Sequence, residues 1–140
     1  MLHPQKTIII SSAKNRNELP FRYRFQRIIP LYQLFPKSFL ISGAKIMQPL
    51  VEPDRNTHEE TFKCMLNEKN ALYMKRTIHL LIRWKRETNT KEVYHIQGDN
   101  DHTLPLKHIQ NPDFIVQNGS HMMTLTRGAE ISCILNRIIP

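Results

Sequence analysis

Three short apolar runs, far apart in the chain, constrain the fold most. They are Thr7 to Ile10, Glu92 to Ile96 and Asp113 to Val116. Each is rich in β-branched or aromatic residues and too short for a helix, so each is expected to be a strand. Helix-like stretches separate them, giving the order strand, helices, strand, short helix, strand, helix. Strands that alternate with helices are joined by crossovers and run parallel. The expected class is therefore α/β, with three parallel core strands. Ile8-Ile9-Ile10 shows no polar alternation, so this strand is expected to be buried on both faces.

A chain of 140 residues can bury a core as one domain. Its 40% hydrophobic and 23% charged content is that of a globular protein. The formal charge of +8 invites an acidic partner, but charge argues about association, not fold. Cys64 and Cys133 lie in helix-like segments without metal or redox spacing. They read as reduced core thiols, and the expected location is cytoplasmic. The apolar run at Ile8 is far too short to span a membrane.

After the first run, Glu18-Leu19-Pro20 can begin a short helix with Pro20 in its first turn. Pro30, Pro36, Pro49 and Pro53 are expected to chop the next stretch into short pieces. Phe21, Tyr23, Phe25, Tyr32, Leu34, Phe35, Phe39 and Leu40 lie among them, which suits a lid over a pocket or an irregular helical subdomain. Thr57-His58-Glu59-Glu60 has the spacing of a capping box, with a helix through Phe62, Met65 and Leu66. A further helix from about Ala71 to Arg86 would bury Leu72, Ile78, Leu81, Ile82 and Trp84. Glu87-Thr88-Asn89-Thr90 breaks to solvent. Leu106 to Ile109 reads as a single helical turn. Ile131, Ile134, Leu135, Ile138 and Ile139 mark an amphipathic final helix, and Met122-Met123 should pack beneath the preceding loop.

The second and third runs each stop at a glycine turn followed by an ionisable residue. Gly98-Asp99-Asn100-Asp101 offers a carboxylate, and Asn118-Gly119-Ser120-His121 offers an imidazole. In a parallel sheet the strands end at one rim, where polar loop residues converge. A carboxylate that accepts from one ring nitrogen fixes the tautomer of a histidine and prepares the other nitrogen as a base. Asp101 is preferred to Asp99 because it lies clear of the turn. Asp101 as a mere turn cap and His121 as a surface histidine are the plainer alternatives. His95, His102 and His108 have no zinc spacing, so no metal is expected, and no cofactor motif is present.

Gly98-Asp99-Asn100-Asp101-His102-Thr103-Leu104-Pro105 followed by Asn118-Gly119-Ser120-His121-Met122-Met123 resembles the C-terminal part of the α/β-hydrolase superfamily. The first strand with Ser11-Ser12-Ala13 and Glu18-Leu19-Pro20 is similar to that family's strand before its cap insertion. The resemblance covers essentially the whole chain. It implies a partial α/β-hydrolase domain over residues 1–140, with a helical cap or lid insertion at 14–86. A C-terminal core at 91–140 would carry the acid and histidine loops. It further implies Asp101 as the orienting acid and His121 as the general base of a Ser-Asp-His esterase-type hydrolase acting on a small ester-like substrate.

The family's nucleophile sits in a Gly-x-Ser-x-Gly elbow, and no serine of this sequence lies in that motif. Ser120 beside His121 is no substitute, because adjacent turn residues point apart. The expectation is a truncated hydrolase, inactive or nearly so unless an N-terminal half completes it. Self-association through an open strand edge is a further expectation, and no membrane partner is expected. The alternative is a non-catalytic binding module for an acidic partner, in which Arg22-Tyr23-Arg24-Phe25-Gln26-Arg27 interleaves bases with aromatics. Nucleic acid is the less favoured partner, since a solvated helix surface explains the same residues.

Overall fold

A computed structural model describes residues 5–34, 36–67, 70–88 and 92–139. Phe35, Asn89 and Thr90 lie outside these, as do the side chains of Leu40 and Leu66. The three apolar runs form strands β1 (Ile8–Ile10), β2 (Tyr94–Gly98) and β3 (Phe114–Val116). They make one parallel sheet in the order β1-β2-β3. Ile9 lies opposite His95, and Gln97 opposite Ile115. The second strand starts and ends two residues later than the sequence suggests, and Gly98 is its last residue rather than its stop.

Alternation along β2 separates the two faces of the sheet. Ile96 and Val116 point to a core closed by Met123 and by Ile131, Ile134 and Ile138 of the last helix, α7 (Gly128–Ile138). Met123 is fully buried at the start of a short helix, α6 (Met123–Thr126), and packs under the histidine loop against Gly119, whereas Met122 is only partly buried. The opposite face carries His95 and Gln97, both fully buried, while Ile115 is half exposed. The expectation of an apolar strand buried on both faces is therefore wrong. Ile8 to Ile10 are each only partly buried, because β1 forms one edge of the sheet among the described residues.

Among the described residues five α-helices lie between β1 and β2: α1 (Phe21–Phe25), α2 (Leu31–Leu34), α3 (Lys37–Val51), α4 (Glu59–Asn67) and α5 (Ala71–Ile82). Pro20 caps α1 from outside rather than occupying its first turn, which follows a 3₁₀ turn at Arg16–Glu18. Pro49 does not chop the chain, since it lies inside α3. Only one hydrogen bond is lost when a proline sits near a helix end, and packing against α5 supports the helix. The capping box does not form. Thr57 lies in a 3₁₀ turn, and its hydroxyl donates to the carbonyl of Asp54 at 2.9 Å. The first turn of α4 is instead braced by Lys63 and Glu59, 2.6 Å apart. Helix α5 is capped by Asn70, whose side-chain oxygen accepts from the Leu72 amide at 2.8 Å. It ends at Ile82, so Trp84 lies beyond it, and Leu72 is exposed rather than buried. Cys64 and Cys133 are exposed, so they are not core thiols. The turn at Leu106–His108 and the three buried isoleucines of α7 agree with the periodicity, and Ile139 lies past the helix. Among the described residues no helix is long and apolar enough to cross a membrane.

Candidate acid–base site

The carboxyl end of the sheet is closed by a glycine contact. A Cβ built on Gly98 would lie 2.0 Å from the carbonyl oxygen of Gly119. The Asn100 amide donates to that same carbonyl at 3.1 Å, and the Asp99 amide donates to the Val116 carbonyl at 3.2 Å. Asn118 takes a positive φ of 54°, a conformation asparagine tolerates better than most residues. Two glycines and one left-handed asparagine thus hold the acid loop and the histidine loop against each other.

Asp101 is the centre of this rim and is 1% exposed. Its Oδ1 accepts from the amides of Thr103 at 2.8 Å and Leu104 at 2.7 Å. Its Oδ2 accepts from Gln97 Nε2 at 2.9 Å and pairs with His121 Nδ1 at 3.0 Å. Gln97 also donates to the Leu104 carbonyl at 2.8 Å, which ties the loop to the strand below it. The turn-cap role and the histidine-orienting role therefore coexist in one carboxylate, one oxygen for each. Two backbone amides, the Gln97 amide and the His121 ring nitrogen thus converge on the one group. A carboxylate can only accept, so the proton of the imidazole sits on Nδ1 and leaves Nε2 as a base. Asp99 is exposed and takes no part.

His121 is half-buried and borders a cavity of 370 Å³. Ser11, Ser12, Leu19, Tyr23, Leu81, Trp84 and Leu104 complete its walls, so β1, the helices and the acid loop all contribute. The helices are latched to the acid loop. Arg22 donates to the carbonyls of His102 and Thr103, both at 2.7 Å, and His102 Nδ1 meets the Leu50 carbonyl. The arginine-aromatic stretch is thus partly engaged in holding the molecule together.

Glu52 is a site residue that sequence reasoning missed. It ends α3, is 7% exposed, and accepts from the Met122 amide at 3.3 Å. The carboxyl therefore lies over the histidine loop, near His121 and Asp101. Burial pushes it above the usual carboxylate range, against the lowering influence of Ser120, the Met122 amide and His121. The Ser120 hydroxyl, though near, has no hydrogen bond of good geometry among the described residues. A signal existed in the sequence: Glu52 is the first acid after Glu18, placed between a long apolar stretch and Pro53.

The raised Glu52 fixes a pH dependence. In the unfolded chain it ionises in the ordinary range, and in the fold it holds its proton to higher pH. Its unfavourable contribution is therefore absent in acid, grows as pH rises from the ordinary value to the raised one, and is fully present above it. Glu52→Gln keeps an acceptor for the Met122 amide and removes the charge. The variant is expected to melt above the parent at pH 7.5 and level with it near pH 4. A lower melting temperature than the parent at pH 7.5 would show that the charge itself stabilises the site.

Two further buried polar residues brace the other face of the sheet. Glu18 is fully buried and accepts from the amides of Lys14 and Gln110, the latter at 3.0 Å. His95 is fully buried, and its ring nitrogens have no hydrogen-bond partner of good geometry among the described residues. Burial lowers its pKa, partly offset by Glu18, so it is neutral. Among the described residues no three His, Cys, Asp or Glu side chains gather as a metal site. No family model, no curated protein and no solved structure matches this chain.

Proposed function

We propose that this chain carries the acid and base of an α/β-hydrolase of the serine-esterase type, acting on a small ester-like substrate. The observation that carries the proposal is the Asp101 Oδ2 to His121 Nδ1 contact of 3.0 Å at the carboxyl rim of a parallel sheet, beside a cavity. In this reading α1 to α5 serve as the cap. His121 Nε2 takes the proton of a serine hydroxyl as its oxygen attacks the ester carbonyl, then returns it to the departing alkoxide. Asp101 holds the ring and stabilises the imidazolium between those steps. The serine elbow is missing from this sequence, so the chain alone lacks the nucleophile. Acid, base and nucleophile act as a unit, and loss of one forfeits nearly all of their joint contribution.

Purified chain is therefore expected to hydrolyse an activated short-chain ester no faster than His121→Ala does. Turnover abolished by that substitution would overturn the inactivity and reveal a nucleophile within this chain. A nucleic-acid module is the weaker reading, because Arg22 is committed to the carbonyls of His102 and Thr103.

A further inference from the structure

A cavity of 560 Å³ lies away from the acid–base pair, between α2 and α5. Its volume is in the range of small-molecule sites. Lys75, Arg76 and His79 stand around it with Leu80 and the ring of Tyr32, and no acid lines it among the described residues. The surrounding sequence has none either. From Leu19 to Val51 and from Lys69 to Arg86 there is not one Asp or Glu, while Arg22, Arg24, Arg27, Lys37, Lys45, Lys69, Lys75, Arg76, Arg83, Lys85 and Arg86 fall there. A field of that sign concentrates anions.

The hydrogen bonds point the same way. Gln33 Nε2 donates to the Tyr32 hydroxyl oxygen at 3.1 Å. The hydroxyl proton is then free to go to His79 Nδ1, 2.6 Å away. With Nδ1 accepting from that hydroxyl, Nε2 carries the ring proton and is the nitrogen that can donate. Tyr32 is 5% exposed, so this relay is built into the structure rather than lying loose on its surface. Lys75 is held at the same spot by the Gln33 carbonyl at 3.0 Å. The Arg76 side chain forms no ion pair or hydrogen bond among the described residues. Apolar surface adjoins these donors, since Leu80 is 72% exposed.

We propose that the cavity between α2 and α5 binds an anionic amphiphile: a phosphate or carboxylate head taken by Lys75, Arg76 and His79, with an apolar tail against Tyr32 and Leu80. The site stands apart from the acid–base pair and does not depend on the hydrolase reading. A purely polyanionic partner would leave the apolar wall unused, which is why nucleic acid is not the ligand proposed.

The test is calorimetric titration of the full chain with decyl phosphate below its micelle concentration, with inorganic phosphate and phosphatidate-containing vesicles as separate arms. Saturable binding of decyl phosphate is expected, about tenfold or more tighter than inorganic phosphate. Arg76→Gln and Lys75→Gln should each weaken it about tenfold, the loss of one charge-assisted hydrogen bond. Lys45→Gln, on α3 and outside the cavity, should change it less than about twofold. Vesicle binding, where seen, should show the same dependence on Arg76. Equal weakening by Lys45→Gln would overturn the proposal in favour of a diffuse basic surface. Vesicle binding without decyl phosphate binding would also overturn it, as would inorganic phosphate binding as tightly as the amphiphile.

Discussion

Gly98→Ala is expected to destabilise the protein by about 3 kcal/mol or more, because overpacking against rigid backbone has no cheap relief. The new Cβ would meet the Gly119 carbonyl oxygen at 2.0 Å and its carbon at 2.5 Å. Neither is the end of a flexible side chain, so the whole histidine loop must move away. That movement also breaks the Asn100 amide to Gly119 carbonyl bond and separates Asp101 from His121. Gly43→Ala is the matched control. Nothing lies within 4 Å of its Cβ position inside α3, and alanine in a helix interior should stabilise by about 0.5–1 kcal/mol. Denaturant melts of the two variants check both signs. If Gly98→Ala proves as stable as the parent, the close approach of the two loops is wrong.

Asp101→Ala is expected to cost about 3–5 kcal/mol, since the Gln97, Thr103 and Leu104 donors would be left buried without an acceptor. For a chain of this size that lowers the melting temperature by about 10 °C or more. His121→Ala removes a half-buried ring and leaves a carboxylate that keeps three donors, one of them on the same oxygen. Its cost should be about 1 kcal/mol. The inequality separates the two residues: the fold depends on the acid and hardly on the histidine. Equal losses in thermal melts would remove that distinction.

The sheet was legible because β-branched runs bounded by turn residues leave few alternatives. The rim was legible for a related reason. Gly98 and Gly119 mark where backbones must approach, and the residues just past them are placed by the strands. Boundaries within the helical region were not legible. Pro49 reads as a break, but contacts between α3 and α5 outweigh one missing hydrogen bond. Thr57 reads as a cap, but its hydroxyl finds the Asp54 carbonyl first. Local propensity loses in both places to a partner that sequence spacing does not reveal. Glu52 escaped for the same reason, since its meaning comes from Met122, seventy residues away. The burial of Ile8 to Ile10 was overstated because a run of β-branched residues records what a strand can bury, not how many neighbours cover it.

The measurement that bears most directly on the acid–base pair is the tautomer of His121, read from its ring nitrogen shifts by NMR near pH 7.5 in the intact chain. The Asp101 contact requires the proton on Nδ1, with Nε2 bare and available as a base. Asp101→Asn, which keeps an acceptor for the Thr103 and Leu104 amides, should shift the proton to Nε2. A His121 that carries its proton on Nε2 in the parent protein, or that is indifferent to Asp101→Asn, would mean that the two residues are neighbours without being a catalytic pair.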